Sequence, residues 1–97
     1  METYTITISG QTGQQYSCIL KKEVDRFTLN SVLGFMMPLN GNPSYILAGD
    51  ILLQKQWLDG DSEIKTNEFL RNGACMQAIQ LVELAKGELK KNSIETE

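Results

Sequence analysis

The stretch Ala48-Gly49-Asp50-Ile51-Leu52-Leu53-Gln54-Lys55-Gln56-Trp57-Leu58-Asp59-Gly60-Asp61-Ser62-Glu63-Ile64-Lys65-Thr66-Asn67 reads as an amphipathic helix that ends on the single tryptophan, then an acidic turn, then the cap of a longer helix. Just upstream, Asn42 is placed to cap the first of these helices, with Pro43 at its first helical position, where a missing amide hydrogen costs nothing. Ile46, Gly49, Leu53 and Trp57 recur at helical spacing, flanked by Tyr45, Ala48 and Leu52. The small pair Ala48-Gly49 lets another helix cross closely, although glycine costs roughly 1 kcal/mol of helix propensity relative to alanine. Gly60 suits the left-handed position after a helix that ends at Asp59-Gly60. Downstream, Thr66 or Asn67 caps a helix from about Glu68 to Lys90, with Leu70, Ala74, Cys75, Ala78, Leu81, Val82, Ala85 and Leu89 as its buried stripe.

Toward the N-terminus the period changes. Tyr4, Ile6 and Ile8 alternate with Thr3, Thr5, Thr7 and Ser9, and Tyr16, Cys18 and Leu20 alternate in turn, as half-buried strands do. Pairing Ile8 with Tyr16, Ile6 with Cys18 and Tyr4 with Leu20 puts every apolar side chain on one face, and a one-residue slip destroys that match. The same register leaves Gln11-Thr12-Gly13 as a three-residue loop whose last position favours glycine. A hairpin alone is marginal and needs a cover. Asp25 can cap a helix that begins at Arg26, with Val24 and Leu29 as a hydrophobic staple and Leu29, Val32, Leu33 and Met36 turned inward. Pro38 stops this helix near Met37, and Leu39-Asn40-Gly41 forms a turn. The expected architecture is α+β: an N-terminal antiparallel β-hairpin packed with three α-helices, in one domain over residues 1–92, with a frayed tail over 93–97.

Composition narrows the function. The 97 residues carry a formal net charge of −3, and the one basic run, Lys86 to Lys91, is interrupted by Glu88, so no electrostatic footprint for nucleic acid is present. Histidine is absent, which removes the usual general base near neutral pH and the commonest metal ligand. Cys18 and Cys75 lie far apart without CxxC spacing and read as buried thiols. No signal peptide opens the chain, and no apolar run approaches the ~20 residues that span a bilayer. The expectation is a soluble, intracellular protein with no membrane partner.

No constellation in the chain reads as catalytic. Asp59, Asp61 and Glu63 alternate like the first half of a calcium loop, but Ile64 stands where that loop needs glycine and Leu70 where it needs a bidentate glutamate. A solvated acidic turn, favourable before a helix N-terminus, is the better account. Asp50 and Asp59 are expected on the surface, as are Lys21 and Lys22. Cys75 sits near a helix start, where a thiol's pKa can fall, yet it lies on the inward stripe and has no histidine beside it. No metal or other cofactor is expected. Two features point instead to contact with another polypeptide. Trp57, next to Leu58 and a polar turn, fits core filler first and an interface anchor second. Phe69, Met76 and Ile79 lie off the main stripe of the last helix, an apolar band wide enough to need deep burial, a partner, or a second copy of the chain.

Two segments carry a family resemblance. The run Leu20-Lys21-Lys22-Glu23-Val24-Asp25-Arg26-Phe27-Thr28-Leu29-Asn30-Ser31-Val32-Leu33 is similar to the entry into the first helix of a group of small tailed-phage and prophage proteins, with its lysine pair followed by Asp-Arg. Ala48-Gly49-Asp50 leading to Trp57, the glycine-acid turn at Asp59-Gly60-Asp61, and the alanine-bearing helix Ala74-Cys75-Met76-Gln77-Ala78-Ile79-Gln80-Leu81-Val82-Glu83-Leu84 resemble the remainder of the same pattern. The likeness runs from about Leu20 to Lys91, and the group resembles phage tail assembly chaperones. It implies a non-enzymatic protein of the bacterial host cytoplasm that binds the tape-measure or tail-tube protein during assembly. Trp57, Leu58, Phe69, Met76 and Ile79 are the contact residues that the apolar pattern nominates. A structural head–tail or tail component, or a regulatory protein that binds a host factor, is the alternative.

Overall fold

Alternating β-branched and aromatic residues build the two strands that the period of two predicts. β1 (Thr3–Ser9) pairs antiparallel with β2 (Gln15–Lys21) in the register Tyr4↔Leu20, Ile6↔Cys18, Ile8↔Tyr16. The computed structural model describes residues 2–84. Gly13 takes φ +88 at the end of the Gln11-Thr12-Gly13 loop, and the Gly10 amide donates to the Gln14 carbonyl at 2.7 Å to close it. Ile6, Ile8, Cys18 and Leu20 are buried on one face, while Thr3, Thr5, Thr7 and Ser9 are exposed on the other. The helices therefore cover one face of the sheet, and the α+β architecture stands.

A third strand joins that sheet. β3 (Trp57–Gly60) pairs antiparallel with β2 through Leu20↔Trp57, Ile19↔Asp59 and Cys18↔Gly60, with a bulge between Ile19 and Leu20. The helix expected to run to Asp59 stops instead at Gln56. Its side chain is buried, and Nε2 donates to the carbonyls of Lys21 at 2.9 Å and Glu23 at 2.8 Å, pinning the end of the helix to the exit of β2. From that anchor the chain can continue only alongside β2. Gly60 is not a helix terminator. It has φ +150, and a Cβ there would stand 2.5 Å from Cys18 Cα, so glycine is required by the close approach of the two strands.

α1 (Arg26–Met36) starts where Asp25 caps it: Oδ1 accepts from the Thr28 amide at 2.9 Å and Oδ2 from its hydroxyl at 3.0 Å. Val32 and Met36 are buried, Leu29 and Leu33 partly so, and the helix ends before Pro38 as expected. α2 (Tyr45–Gln56) begins later than Asn42 and Pro43 predict. Ser44 is its cap, accepting from the Leu47 amide at 3.3 Å, while the Ser44 amide donates to the Phe35 carbonyl at 2.8 Å and ties the start of α2 to the end of α1. Its inward side is Ala48, Gly49, Leu52, Leu53 and Gln56, whereas Ile46 is exposed. A short helix, α3 (Glu63–Thr66), follows β3 and buries Ile64 completely, a core residue that the acidic surroundings conceal in the sequence.

α4 (Glu68–Ala78) is capped by Asn67, whose Oδ1 accepts from the Leu70 amide at 3.2 Å. A turn at Ile79 interrupts it, and residues 80–84 are helical again. Leu70, Ala74, Cys75, Ala78, Leu81 and Val82 are buried as the stripe predicts. Ala85, Leu89, the helix end at Lys90 and the tail over 93–97 lie outside the described residues, and so does the domain limit at residue 92. α2 crosses α4 and α1 and forms the middle of the helical layer. At the crossing with α4 the backbones meet: a Cβ on Gly49 would overlap the Cys75 carbonyl and stand 2.8 Å from its Cα.

Two measurements check this packing. Gly49→Ala gains helix propensity but must push α4 away, so urea unfolding is expected to show a net loss of about 2 kcal/mol, in the range found for overpacked cores. The hydrogen bonds from the Thr28 amide and hydroxyl hold the Asp25 carboxyl below its ordinary range. A depressed folded-state pKa contributes stability above the unfolded value of about 3.9 and loses it as pH falls through the folded value. Asp25→Ala is therefore expected to flatten part of the acid limb of the stability–pH curve below about pH 4.

Candidate functional site

Half of the large apolar side chains that remain exposed among the described residues fall in one short stretch. These are Phe35, Met37, Leu39, Tyr45, Ile46 and Leu47. Local chemistry explains why. Pro38 cannot continue α1, and the chain loops out through Gly41 at φ +92 before Ser44 closes back on Phe35. That loop leaves Met37 at 62% exposure and Leu39 fully in solvent. Three consecutive apolar residues then open α2. Successive helical residues point about 100° apart, so Tyr45, Ile46 and Leu47 cannot share the inward side that Ala48, Gly49 and Leu52 fill.

Beside this corner lies a groove of about 450 Å³, lined by Met36 and Met37 from the end of α1, Tyr45 from the start of α2, and Met76, Ile79, Gln80 and Glu83 beyond. Methionine side chains are flexible and polarisable, and they suit surfaces that must mould to an apolar guest. Met76 and Ile79, both nominated from the sequence, meet here. Phe69 lies on the same outward line of α4 two turns before Met76, and both are half-exposed. Ile79 is partly buried and packs against the core.

The other two nominated residues stand elsewhere. Trp57 begins β3 and is partly buried against the core, with Lys65 Nζ 4.3 Å from its ring centroid. Leu58 is exposed on the same strand, and neither residue lines the groove. The α1–α2 corner was not nominated, although its signal was present. The run Phe35-Met36-Met37-Pro38-Leu39 carries more apolar side chains than one helix end can bury, and Tyr45-Ile46-Leu47 repeats that excess at the next helix start.

The polar groups are engaged in holding the fold. Asp50, expected on the surface, is only partly exposed and joins α2 to α4: Oδ1 accepts from Arg71 Nη2 at 2.7 Å and Nε at 2.9 Å, and Oδ2 accepts from Gln54 Nε2 at 2.8 Å. The hydrogen bonds to Asp50, reinforced by its charge, raise the Arg71 pKa. A carboxylate bound at both oxygens acts here as an anchor between helices. Asp59 and Asp61 serve the backbone of the acidic turn. Asp59 Oδ1 accepts from the Gly60 amide at 2.8 Å, and Asp61 Oδ2 accepts from the Ser17 amide at 2.9 Å, which extends the β2–β3 edge by one residue. Among the described residues no group of three or more cysteine, aspartate or glutamate side chains could hold a metal ion, and no helix is long and apolar enough to cross a membrane.

Both thiols are buried. Burial, with a smaller contribution from Asp61, pushes Cys18 up to about 11, and burial, with a smaller contribution from Asp50, pushes Cys75 up to about 11. Cys75 lies in the second turn of α4, yet desolvation outweighs any help from the helix N-terminus. No family model, curated protein or solved structure matches the chain.

The cysteines give a direct check of this reading. At pH 8 neither thiol is expected to react appreciably with a disulfide reagent while the protein is folded, and both should react at once in denaturant. Rapid modification of either in the native protein would show that its site is open.

Proposed function

We propose that this protein is a non-enzymatic binding module that shields an apolar segment of another polypeptide, in the manner implied by its resemblance to phage tail assembly chaperones. One observation carries the reading: a groove walled by Met36, Met37, Tyr45, Met76 and Ile79, in which Met37, Tyr45 and Met76 are exposed. Isolated exposed apolar residues are ordinary, but several that share the walls of one groove are what protein-binding surfaces have in common. The exposed Met37 and Leu39 supply reach, Tyr45 supplies a rigid anchor, and Met76 supplies an adaptable wall. Gln80 and Glu83 provide a polar rim.

The partner is a tape-measure or tail-tube protein of the same phage or prophage, bound in the bacterial cytoplasm while assembly proceeds. Capture by such a face needs apolar area and a polar border, and no reactive group. Trp57 is better assigned to the structure, bridging β3 and Lys65, than to the contact.

Co-expression with the tape-measure and tail-tube proteins tests the proposal. Wild-type protein is expected to co-purify with one of them. The double substitution Met37→Glu with Leu39→Glu should weaken that complex by at least about tenfold, since each is an exposed apolar anchor. Phe27→Glu, on an exposed position of α1 away from the groove, should leave it intact. Unchanged capture by the doubly charged variant, with its circular dichroism preserved, would remove the corner from consideration. Finding the protein in purified virions would favour a structural tail component instead.

A further inference from the structure

The outer edge of β1 is a row of backbone hydrogen-bonding groups that no strand covers, and we propose that it pairs antiparallel with the same strand of a second copy of the chain, joining two three-stranded sheets across a two-fold axis. The inference rests on the sheet and is independent of the α1–α2 corner. β1 is a terminal strand in the order β1-β2-β3. The Lys22 amide donates to the Glu2 carbonyl at 3.1 Å, and the Gly10 amide to the Gln14 carbonyl at 2.7 Å. Bonded pairs alternate in an antiparallel ladder, so the even-numbered residues of β1 bond to β2. Thr3, Thr5, Thr7 and Ser9 turn their amides and carbonyls outward. The position of Gln77 agrees, because its Nε2 reaches round from α4 to donate to the Thr7 carbonyl at 3.0 Å.

Strand edges in soluble proteins are commonly blunted by charge, proline, a bulge or shortness. The other edge of this sheet has three of these: β3 is four residues long, it faces a bulge, and it carries Asp59 with Asp61 just beyond. β1 has none. It is seven residues of Thr-Tyr-Thr-Ile-Thr-Ile-Ser in unbroken register, without a charge or a proline.

Charge and symmetry select a second copy as the occupant. The chain carries −3, so two copies meeting at the β3 edge would set Asp59 and Asp61 against their like, whereas the β1 edge brings no charges into opposition. A two-fold axis through Thr5 places Thr5 opposite Thr5 of the second copy and Thr3 opposite its Thr7. From Thr3 to Thr7 each pair on the exposed face is then threonine–threonine, a favourable cross-strand combination. On the covered face Tyr4 falls beside Ile6 of the second copy, which lengthens the apolar side of the sheet in the same register. Gln77 competes for the Thr7 carbonyl and so moderates the pairing.

Sedimentation velocity of the full chain over a concentration series tests this. A reversible dimer is expected. Thr5→Pro removes an outward amide that the β1–β2 ladder does not use, and Thr5→Lys places two like charges on the axis. Each should raise the dimer dissociation constant at least about tenfold, equivalent to about 1.4 kcal/mol or more. Gln77→Ala frees the Thr7 carbonyl and should tighten the dimer. Ser17→Lys, on the outer face of β2, and the Met37→Glu, Leu39→Glu variant should not change it. Thr5→Lys alters only an exposed side chain and carries the test if the proline variant unfolds. A wild-type protein that stays monomeric throughout overturns the proposal. A dimer that survives Thr5→Lys with its circular dichroism intact, or one abolished by either control, does the same.

Discussion

The crossing of α2 over α4 at Gly49 and Cys75 is the constraint from which the rest of the molecule follows. With no side chain between the backbones, the two helices approach until the Cys75 carbonyl lies where a Cβ would be. That separation brings Asp50, one residue along α2, within reach of the Arg71 guanidinium, one turn back on α4. It also fixes the far end of α2, so that Gln56 arrives at the carbonyls leaving β2 and the chain enters the sheet as β3. At the near end it fixes Tyr45 beside Met76 and Ile79, which makes the groove. A wider crossing would loosen the ion pair, the strand and the groove together.

Most local signals in the sequence match the structure, the Asn42-Pro43 cap being the exception because Ser44 takes that place. The Gln11-Thr12-Gly13 loop, the Asp25 cap and the stop before Pro38 depend on residues within a few positions of one another, the hairpin register follows from two alternating strands joined by that loop, and all appear as expected. The fate of Trp57 to Gly60 was not local. Trp57 continues the helical spacing of Leu53 and Gly49, and nothing nearby announces that the Gln56 amide will be taken up by carbonyls more than thirty residues earlier. Distant pairing overrode a helical period, as it often does for short segments. Ile64 shows the same effect: a lone isoleucine among charged residues becomes core only because the strand before it sets α3 against the sheet and α4.

The candidate face was half visible for a similar reason. Phe69 and Met76 could be set apart from the buried stripe because the apolar spacing along α4 declares its inside. The corner of Phe35, Met37, Leu39 and Tyr45 could not be assigned in that way. Its exposure depends on where α1 stops and α2 restarts, and α2 restarts at Ser44 rather than Asn42, a matter of cap geometry settled by the bond to Phe35. Asp50 was misplaced on the surface because its partner, Arg71, lies on another helix.

Gln56 has a consequence for how this small protein comes apart. A single amide nitrogen bridges the last turn of one helix and the two carbonyls through which the sheet hands over to the next. Neither layer can open there without stranding donors or acceptors in the other. The protected backbone amides of β2 and of the end of α2 should therefore share one opening free energy in hydrogen–deuterium exchange, so that the sheet and its helical roof melt as one cooperative unit.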